Sequence, residues 1–124
     1  MKIIKKWGWE YITVNDDKKC LKFIQCNDNI WSSSGLYHMH LEKDEDFVVI
    51  DGYLELDIDG VTHILRSNPS KPNTIRIKPL TPHRFRSIDC LFLEVSTPDD
   101  PKDSIRGTLE NLRHWRGFDR KTAH

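Results

Sequence analysis

Three histidines and one glutamate have the residue types and the spacing of a metal site. His38 and His40 are separated by one residue, so on an extended strand both imidazoles point to the same face, about 6.8 Å apart along the chain. Glu45 follows after four residues, which is enough for the chain to turn a corner and bring a carboxylate back on the next strand. His83, after the turn sequence at 79–82, is the candidate fourth ligand. Three nitrogens and one carboxylate oxygen suit one divalent Zn, Mn, Ni, Co or Fe ion and leave coordination positions for water or substrate.

The elements that would position these residues are short strands. The hydrophobic pattern has a period of two, in segments rich in Val, Ile, Phe and Tyr that are separated by turn sequences. Asp51-Gly52 and Asp59-Gly60 predict hairpin turns, because glycine takes the positive φ that such turns need. Strands at this spacing indicate an all-β sandwich or a small barrel. The predicted strands lie near 9–14, 20–26, 46–51, 53–58, 61–66, 74–78, 83–87 and 90–95.

The last part of the chain has a different pattern. The sequence Pro98-Asp99-Asp100-Pro101 ends the run of strands, and Ile105, Leu109, Leu112 and Trp115 then follow at helical spacing. They predict a short helix or an irregular arm that lies on the barrel. With 124 residues we expect a single domain, with a barrel core at about 9–96 and a C-terminal arm at about 97–124.

Composition excludes several classes of partner. Lys and Arg (19) balance Asp and Glu (19), which argues against nucleic-acid and anionic-membrane binding. No apolar run approaches the roughly 20 residues of a membrane span, and the start of the chain lacks the apolar stretch of a signal peptide. Three cysteines without CxxC spacing predict buried free thiols in a reducing compartment, so we expect a soluble cytoplasmic protein.

One segment predicts a covered outer face. The run from Phe47 to Ile50 is apolar on both sides of a strand, so one side would line the barrel and the other would need a cover. The cover is either the N-terminal segment or a second subunit, and the second choice predicts a homodimer.

Two motifs resemble those of the cupin superfamily. His38, His40, Glu45 and Gly52 fill the first cupin motif, HxH(x4)E(x6)G. The segment 77–85 around His83 is similar to the second motif, with Leu80 where cupins usually have glycine. This resemblance covers roughly residues 35–95. It implies a double-stranded β-helix, which is a jelly-roll barrel with the metal inside.

Further resemblances point to cupin sugar isomerases. His38-x-His40-x-x-Lys43-x-Glu45-Asp46 resembles the HxHxxKxED signature of enzymes such as the D-lyxose isomerases. Other segments resemble type II phosphomannose isomerases; these are Lys6–Glu10, Glu45–Gly52, His83-Arg84, Leu93–Val95 and Asp103–Arg106. The resemblance implies metal-dependent aldose–ketose isomerisation of a sugar or sugar phosphate through an enediolate.

Lys43 is the candidate base for this reaction, and Glu45 is a second candidate for the proton transfer. A partly desolvated lysine beside a divalent cation is expected to have a lowered pKa, because both effects disfavour its positive charge. The alternative for Lys43 is a solvated lysine in an acidic turn. Arg106 is a candidate for contacting a phosphate or a sugar hydroxyl, whereas Arg84 should point away from the face of His83.

Two other functions fit the same residues. Three histidines and one glutamate around iron also describe cupin dioxygenases. A non-catalytic sugar-binding cupin would keep the barrel and the metal without turnover.

Overall fold

The computed structural model describes the backbone of residues 1–67 and 73–122. Within these residues the chain forms short antiparallel strands followed by one α-helix. The strands are β1 (Lys2–Lys5), β2 (Gly8–Asn15), β3 (Cys20–Asn27), β4 (Tyr37–His40), β5 (Glu45–Ile58), β6 (Val61–Arg66), β7 (Thr74–Ile77), β8 (His83–Arg86), β9 (Asp89–Ser96) and β10 (Ser104–Gly107), and the helix is α1 (Leu109–Thr122).

The strands form two layers that share β5. One layer has the order β1-β2-β3-β9-β5-β7, and the other has the order β6-β5-β8-β4-β10. The first half of β5 pairs with β7 and β9, and the second half pairs with β6 and β8. This arrangement confirms the predicted all-β jelly-roll barrel.

The prediction of a hairpin turn at Asp51-Gly52 was wrong. β5 is continuous through these residues, and its register against β9 shifts between Val49 and Asp51. Gly52 has a φ of +87°, and a Cβ there would lie 2.3 Å from the carbonyl oxygen of Asp89. Glycine therefore serves a β-bulge that carries the strand from one layer to the other. The second predicted turn, at Asp59-Gly60, does join β5 to β6.

The barrel core is an aromatic cluster on the inner faces of both layers. Phe47 lies 5.0 Å from Phe92 and 6.0 Å from Phe85 between ring centroids, and Trp7 packs edge-on against Phe85. The inner face also holds the cysteines, which are all buried free thiols, as predicted. Cys26 and Cys90 face each other across β3 and β9, and burial raises the pKa of Cys90 to about 12.

The C-terminal segment forms both a strand and a helix. β10 pairs with β4, and α1 then packs against the outer side of β4. Leu112 is buried there with Tyr37 and Met39, while Ile105, Leu109 and Trp115 pack around them. The predicted apolar positions thus contact the barrel. No helix among the described residues is long and apolar enough to cross a membrane.

The N-terminal segment extends the first layer in the plane of the sheet. β1 and β2 continue the first layer beyond β3, in the plane of the sheet. On β5, Phe47 and Val49 are buried, but Ile50 keeps 45% of its surface exposed. The homodimer remains a prediction.

Candidate metal centre

The four predicted ligands lie together inside the barrel. His38, His40, Glu45 and His83 each offer one ligand atom, and these atoms all lie within 4.8 Å of one another. β4 carries the first two histidines, β5 begins at Glu45, and β8 begins at His83. His38 is paired with His83 across β4 and β8, so both side chains point to the inner face.

The cluster contains buried polar atoms that lack hydrogen-bond partners. They are His38 Nδ1, His40 Nδ1, both carboxylate oxygens of Glu45, and His83 Nε2. Leaving a buried polar atom unpaired costs about 1–3 kcal/mol, so native proteins rarely place several of them in one spot. The carboxylate oxygens of Glu45 and the ring nitrogens on the cluster side fit one divalent cation. His40 Nδ1 lies on the other side of its ring, 3.9 Å from Asp103 Oδ2.

The turn before β8 fixes the ring of His83. His83 Nδ1 lies 2.8 Å from the carbonyl oxygen of Thr81, so Nδ1–H donates there and Nε2 is the ring nitrogen that faces the cluster. His83 Nε2 lies 2.9 Å from Glu45 Oε1. Within the turn Leu80 has a φ of 62°, and its backbone N–H donates to the carbonyl oxygen of His40 at 2.7 Å. Leu80 thus adopts the left-handed conformation that glycine favours, at the position where cupins usually have glycine.

Burial keeps the imidazoles on β4 neutral. Desolvation is the main cause that lowers the pKa of His40 to about 3, with further lowering by Lys43 and His83. Desolvation and the neighbouring histidines also hold the pKa of His38 well below its ordinary value. Neutral imidazole is the form that binds metals.

Lys43 is buried in a network of carboxylates beside the cluster. Its Nζ lies 2.7 Å from Glu94 Oε2, 2.9 Å from Asp99 Oδ1 and 3.7 Å from Glu45 Oε2. The alternative of a solvated turn lysine is therefore wrong, since only 3% of Lys43 is exposed.

The pKa of Lys43 also differs from the expectation. Burial lowers it, but Glu94 and Glu45 outweigh burial and raise the pKa above its ordinary value. The lowered pKa was expected from burial and a nearby cation alone. Glu94 and Asp99 were not included, because they are more than fifty residues away from Lys43 in the sequence.

Sequence reasoning missed the rest of this network. Lys22 Nζ lies 3.0 Å from Asp99 Oδ2, and Asp99 thus bridges two lysines. Burial would raise the pKa of Asp99, but these two lysines lower it to about 2. The sequence did contain a signal for this network. Lys22 and Glu94 occupy inward positions in the alternation of β3 and β9, where an apolar residue is the rule.

Two features border the cluster. A cleft of about 530 Å³ opens beside Lys43, where the 41–43 corner faces the 97–103 segment. Arg106 is exposed on β10 and is paired with His38, so its side chain lies on the face of the cluster and its charge helps to lower the pKa of His38.

Arg84 lies on the opposite face, as predicted. Its guanidinium donates to Asp57 at 3.2 Å and to the carbonyl oxygen of Gly35 at 2.8 Å. It also stacks over Trp31 and Tyr37. Phe85 points inward like His83, but it belongs to the aromatic core.

Comparisons with known proteins identify the fold. Neither a protein-family profile nor a curated protein sequence matches the chain. Among solved structures, KdgF from Halomonas sp. matches with a TM-score of 0.66 and 14% identity, over 81% of this chain and 86% of that one. A conserved protein with a double-stranded β-helix domain from Klebsiella pneumoniae has a TM-score of 0.64 and 14% identity, over 79% of this chain and 82% of that one.

A larger protein contains the same fold as one part. CapF from Staphylococcus aureus, a capsular polysaccharide assembling protein, matches with a TM-score of 0.70 and 14% identity. The match covers 85% of this chain and 31% of CapF. Together with the strand order, these likenesses show that the chain has the double-stranded β-helix fold of the cupins.

Proposed function

We propose that this chain is a metal-dependent carbohydrate isomerase that binds one divalent cation through His38, His40, Glu45 and His83. The observation that carries the proposal is that one ligand atom from each of these four side chains lies within 4.8 Å of the others, and that the carboxylate oxygens of Glu45 and Nε2 of His83 there have no hydrogen-bond partner. Three imidazoles and one carboxylate form a donor set for zinc, manganese, nickel, cobalt or iron.

The proposed reaction moves a hydrogen between neighbouring carbons of an aldose and a ketose. A bound cation supplies Lewis-acid stabilisation of negative charge on the carbonyl and hydroxyl oxygens of the sugar. Lys43 and Glu45 are the proposed proton-transfer groups, because both are buried at the cluster and lie 3.7 Å apart. The neighbouring carboxylates raise the pKa of Lys43, so Lys43 is the proposed proton donor and the Glu45 carboxylate the proposed proton acceptor.

Two similarities support a carbohydrate substrate, one in structure and one in sequence. CapF is a capsular polysaccharide assembling protein of the same fold, and the HxHxxKxED pattern is similar to that of cupin sugar isomerases. Arg106, exposed on the face of the cluster, suits an anionic group such as a sugar phosphate. We therefore propose mannose 6-phosphate and related sugar phosphates as the first substrates to test.

The same donor set also supports an iron-dependent dioxygenase. Three histidines and one glutamate leave open positions on iron, where an oxygenase needs them. A sugar-binding protein without turnover is the remaining alternative. The identity of the metal and the product separate these functions.

The first test is elemental analysis of the purified wild type and of the His38→Ala/His40→Ala variant. We expect about one divalent ion per chain in the wild type and none in the variant. His63→Ala is the matched control, because His63 lies on β6 outside the ligand cluster and its loss should leave the metal content unchanged.

The result directs the next assay. Manganese, zinc, nickel or cobalt leads to a panel of aldoses, ketoses and their phosphates, and iron leads to measurement of oxygen uptake. Metal that is retained without turnover on either assay would support a binding protein. No metal in the wild type, even after reconstitution, would contradict the proposal.

A further inference from the structure

His40 has one ring nitrogen that faces the ligand cluster and one that faces away. Its Nε2 lies 3.6 Å from Glu45 Oε1, whereas its Nδ1 is buried and makes no hydrogen bond. Only 9% of the side chain is exposed, so solvent is a poor partner for Nδ1. A neutral imidazole that binds a metal through Nε2 carries its proton on Nδ1, and this proton needs an acceptor.

A carboxylate from the C-terminal segment faces this nitrogen. Asp103 Oδ2 lies 3.9 Å from His40 Nδ1, and the Asp103 side chain is only 13% exposed. This distance is about 1 Å longer than a hydrogen bond, so the inference requires the ring of His40 to move toward Asp103 when the metal binds. His83 already shows the completed arrangement, with its Nδ1 on the carbonyl oxygen of Thr81.

Asp103 is held in place independently of His40. Its two carboxylate oxygens accept the backbone N–H groups of Glu42 at 2.8 Å and of Lys43 at 3.0 Å. Its own carbonyl oxygen accepts the N–H of Leu41 at 2.9 Å. The next residue begins β10, where Ser104 pairs with His40. The carboxylate is therefore a fixed acceptor beside a ring that needs one.

We propose that Asp103 is a positioning residue for the metal, which accepts the Nδ1 proton of His40 and so holds Nε2 toward the cation. The inference rests on the metal site of the proposed function and assigns to it a residue outside the four ligands. Carboxylates behind metal-binding histidines fix the tautomer and raise the basicity of the ligand, and their loss weakens metal affinity by about 10–100-fold.

The test compares zinc affinity in two variants of the full chain. Asp103→Asn removes the charge and one backbone acceptor, and we expect its zinc dissociation constant to rise about 10–100-fold. Thr97→Val is the matched control, because the Thr97 hydroxyl accepts the N–H of Asp44 at 3.1 Å in the same corner. This control loosens the corner without removing the acceptor of His40, so its zinc affinity should stay within about threefold of the wild type. Competition with a chromophoric chelator gives the constants.

A second readout uses the wild type alone. Nitrogen-15 NMR of histidine-labelled, zinc-loaded protein should show a proton on His40 Nδ1 that exchanges slowly with solvent. An Nδ1 proton that is absent or exchanges at the solvent rate would overturn the inference, even if Asp103→Asn does not fold.

The outcomes separate this inference from the proposed function. Wild-type zinc binding with equal affinity in Asp103→Asn, or with equal losses in both variants, would overturn only the role of Asp103. A wild type that binds no zinc would overturn the metal site and, with it, this inference.

Discussion

Lys43 shows how a charged side chain is accommodated in the interior of a small barrel. Its ammonium contacts the carboxylates of Glu94 and Asp99, and a second lysine, Lys22, shares Asp99. Removing one partner of a buried ion pair leaves the other charge uncompensated, which is worse than removing both. The network therefore predicts non-additive effects of substitution.

We expect Lys43→Met to lower the free energy of unfolding by about 3–5 kcal/mol, because it leaves Glu94 buried without its closest cation. The double variant Lys43→Met/Glu94→Gln should be less destabilised than the single one. Urea denaturation of the wild type, both single variants and the double variant gives the coupling energy. Additive effects would show that the two side chains do not stabilise each other.

Arg106 is the residue from which we expect substrate selectivity. Arg106→Ala should raise the KM for a sugar phosphate about tenfold or more and leave kcat nearly unchanged, because the lost contact would be to a group remote from the reacting carbons. Steady-state kinetics with mannose 6-phosphate and with mannose measures this difference. Arg66→Ala, an exposed change on β6, is the control. An equal loss with the neutral sugar would contradict a phosphate contact.

At the scale of the element, β5 holds the two layers together through its bulge. A Cβ at Gly52 would lie 2.3 Å from a backbone oxygen, whereas a Cβ at Gly35, with a similar φ of +88°, would meet nothing within 4 Å. The pair therefore separates a steric clash from backbone strain.

Gly35→Ala should cost about 1–2 kcal/mol, which is the strain of a left-handed residue alone. Gly52→Ala should cost distinctly more, about 3 kcal/mol or above, since the strand must also move away from Asp89. Thermal unfolding of both variants measures the difference. Equal effects would mean that the bulge can move without penalty.

The helix α1 contacts the β5–β6 turn through the carboxylate of Asp59. Asp59 accepts from Arg113 at 2.8 Å and from Arg116 at 3.2 Å. Arg116 also donates to the carbonyl oxygen of Leu80 at 3.4 Å, in the turn that precedes His83. The helix thus supports the turn that carries a candidate ligand.

This contact predicts a pH dependence. Burial raises the pKa of Asp59, but Arg113 and Arg116 outweigh it, so the folded pKa is lower than the unfolded one. The contribution of the Asp59 ion pairs to the free energy of unfolding is therefore present above the unfolded pKa of about 4. It is lost as the pH falls through the folded pKa. Asp59→Asn should cost about 0.5–1 kcal/mol at neutral pH and less in acid.

Denaturation curves at several pH values test the dependence. The exposed Asp17→Asn change is the control and should alter stability little at any pH. A cost of Asp59→Asn that does not change with pH would contradict an ionic contribution.

At the scale of the whole molecule, the cluster joins three strands of the barrel. β4, β5 and β8 all contribute ligand side chains, so a cation bound there is linked to the folding of both layers. At a free zinc concentration one hundred times its dissociation constant, binding to the folded state alone adds about 2.7 kcal/mol of stability.

We therefore expect zinc to raise the Tm by several degrees, and a chelator to reverse the change. The His38→Ala/His40→Ala variant should show no such shift. The same shift in the wild type and in this variant would place zinc binding elsewhere.

The sequence by itself determined the fold class and the four candidate ligands. Alternation of apolar residues predicts strands, and a spacing of two places His38 and His40 on one face, because side-chain direction in a strand is a local property. The turn at Asp59-Gly60 was predictable for the same reason, since its glycine is required by local backbone geometry.

Only the tertiary structure decided which distant groups surround those ligands. The contacts of Lys43 with Glu94 and Asp99, and the approach of Asp103 to His40, depend on the register of strands far apart in the sequence. The same Asp-Gly pair forms a turn at Asp59-Gly60 but lies in a bulged strand at Asp51-Gly52. The difference arises because β9 pairs with β5 at Asp51 and Gly52, so the strand continues through these residues. Pairing between strands that are far apart in the sequence is fixed by the packing of the whole barrel, and a local sequence pattern does not specify it.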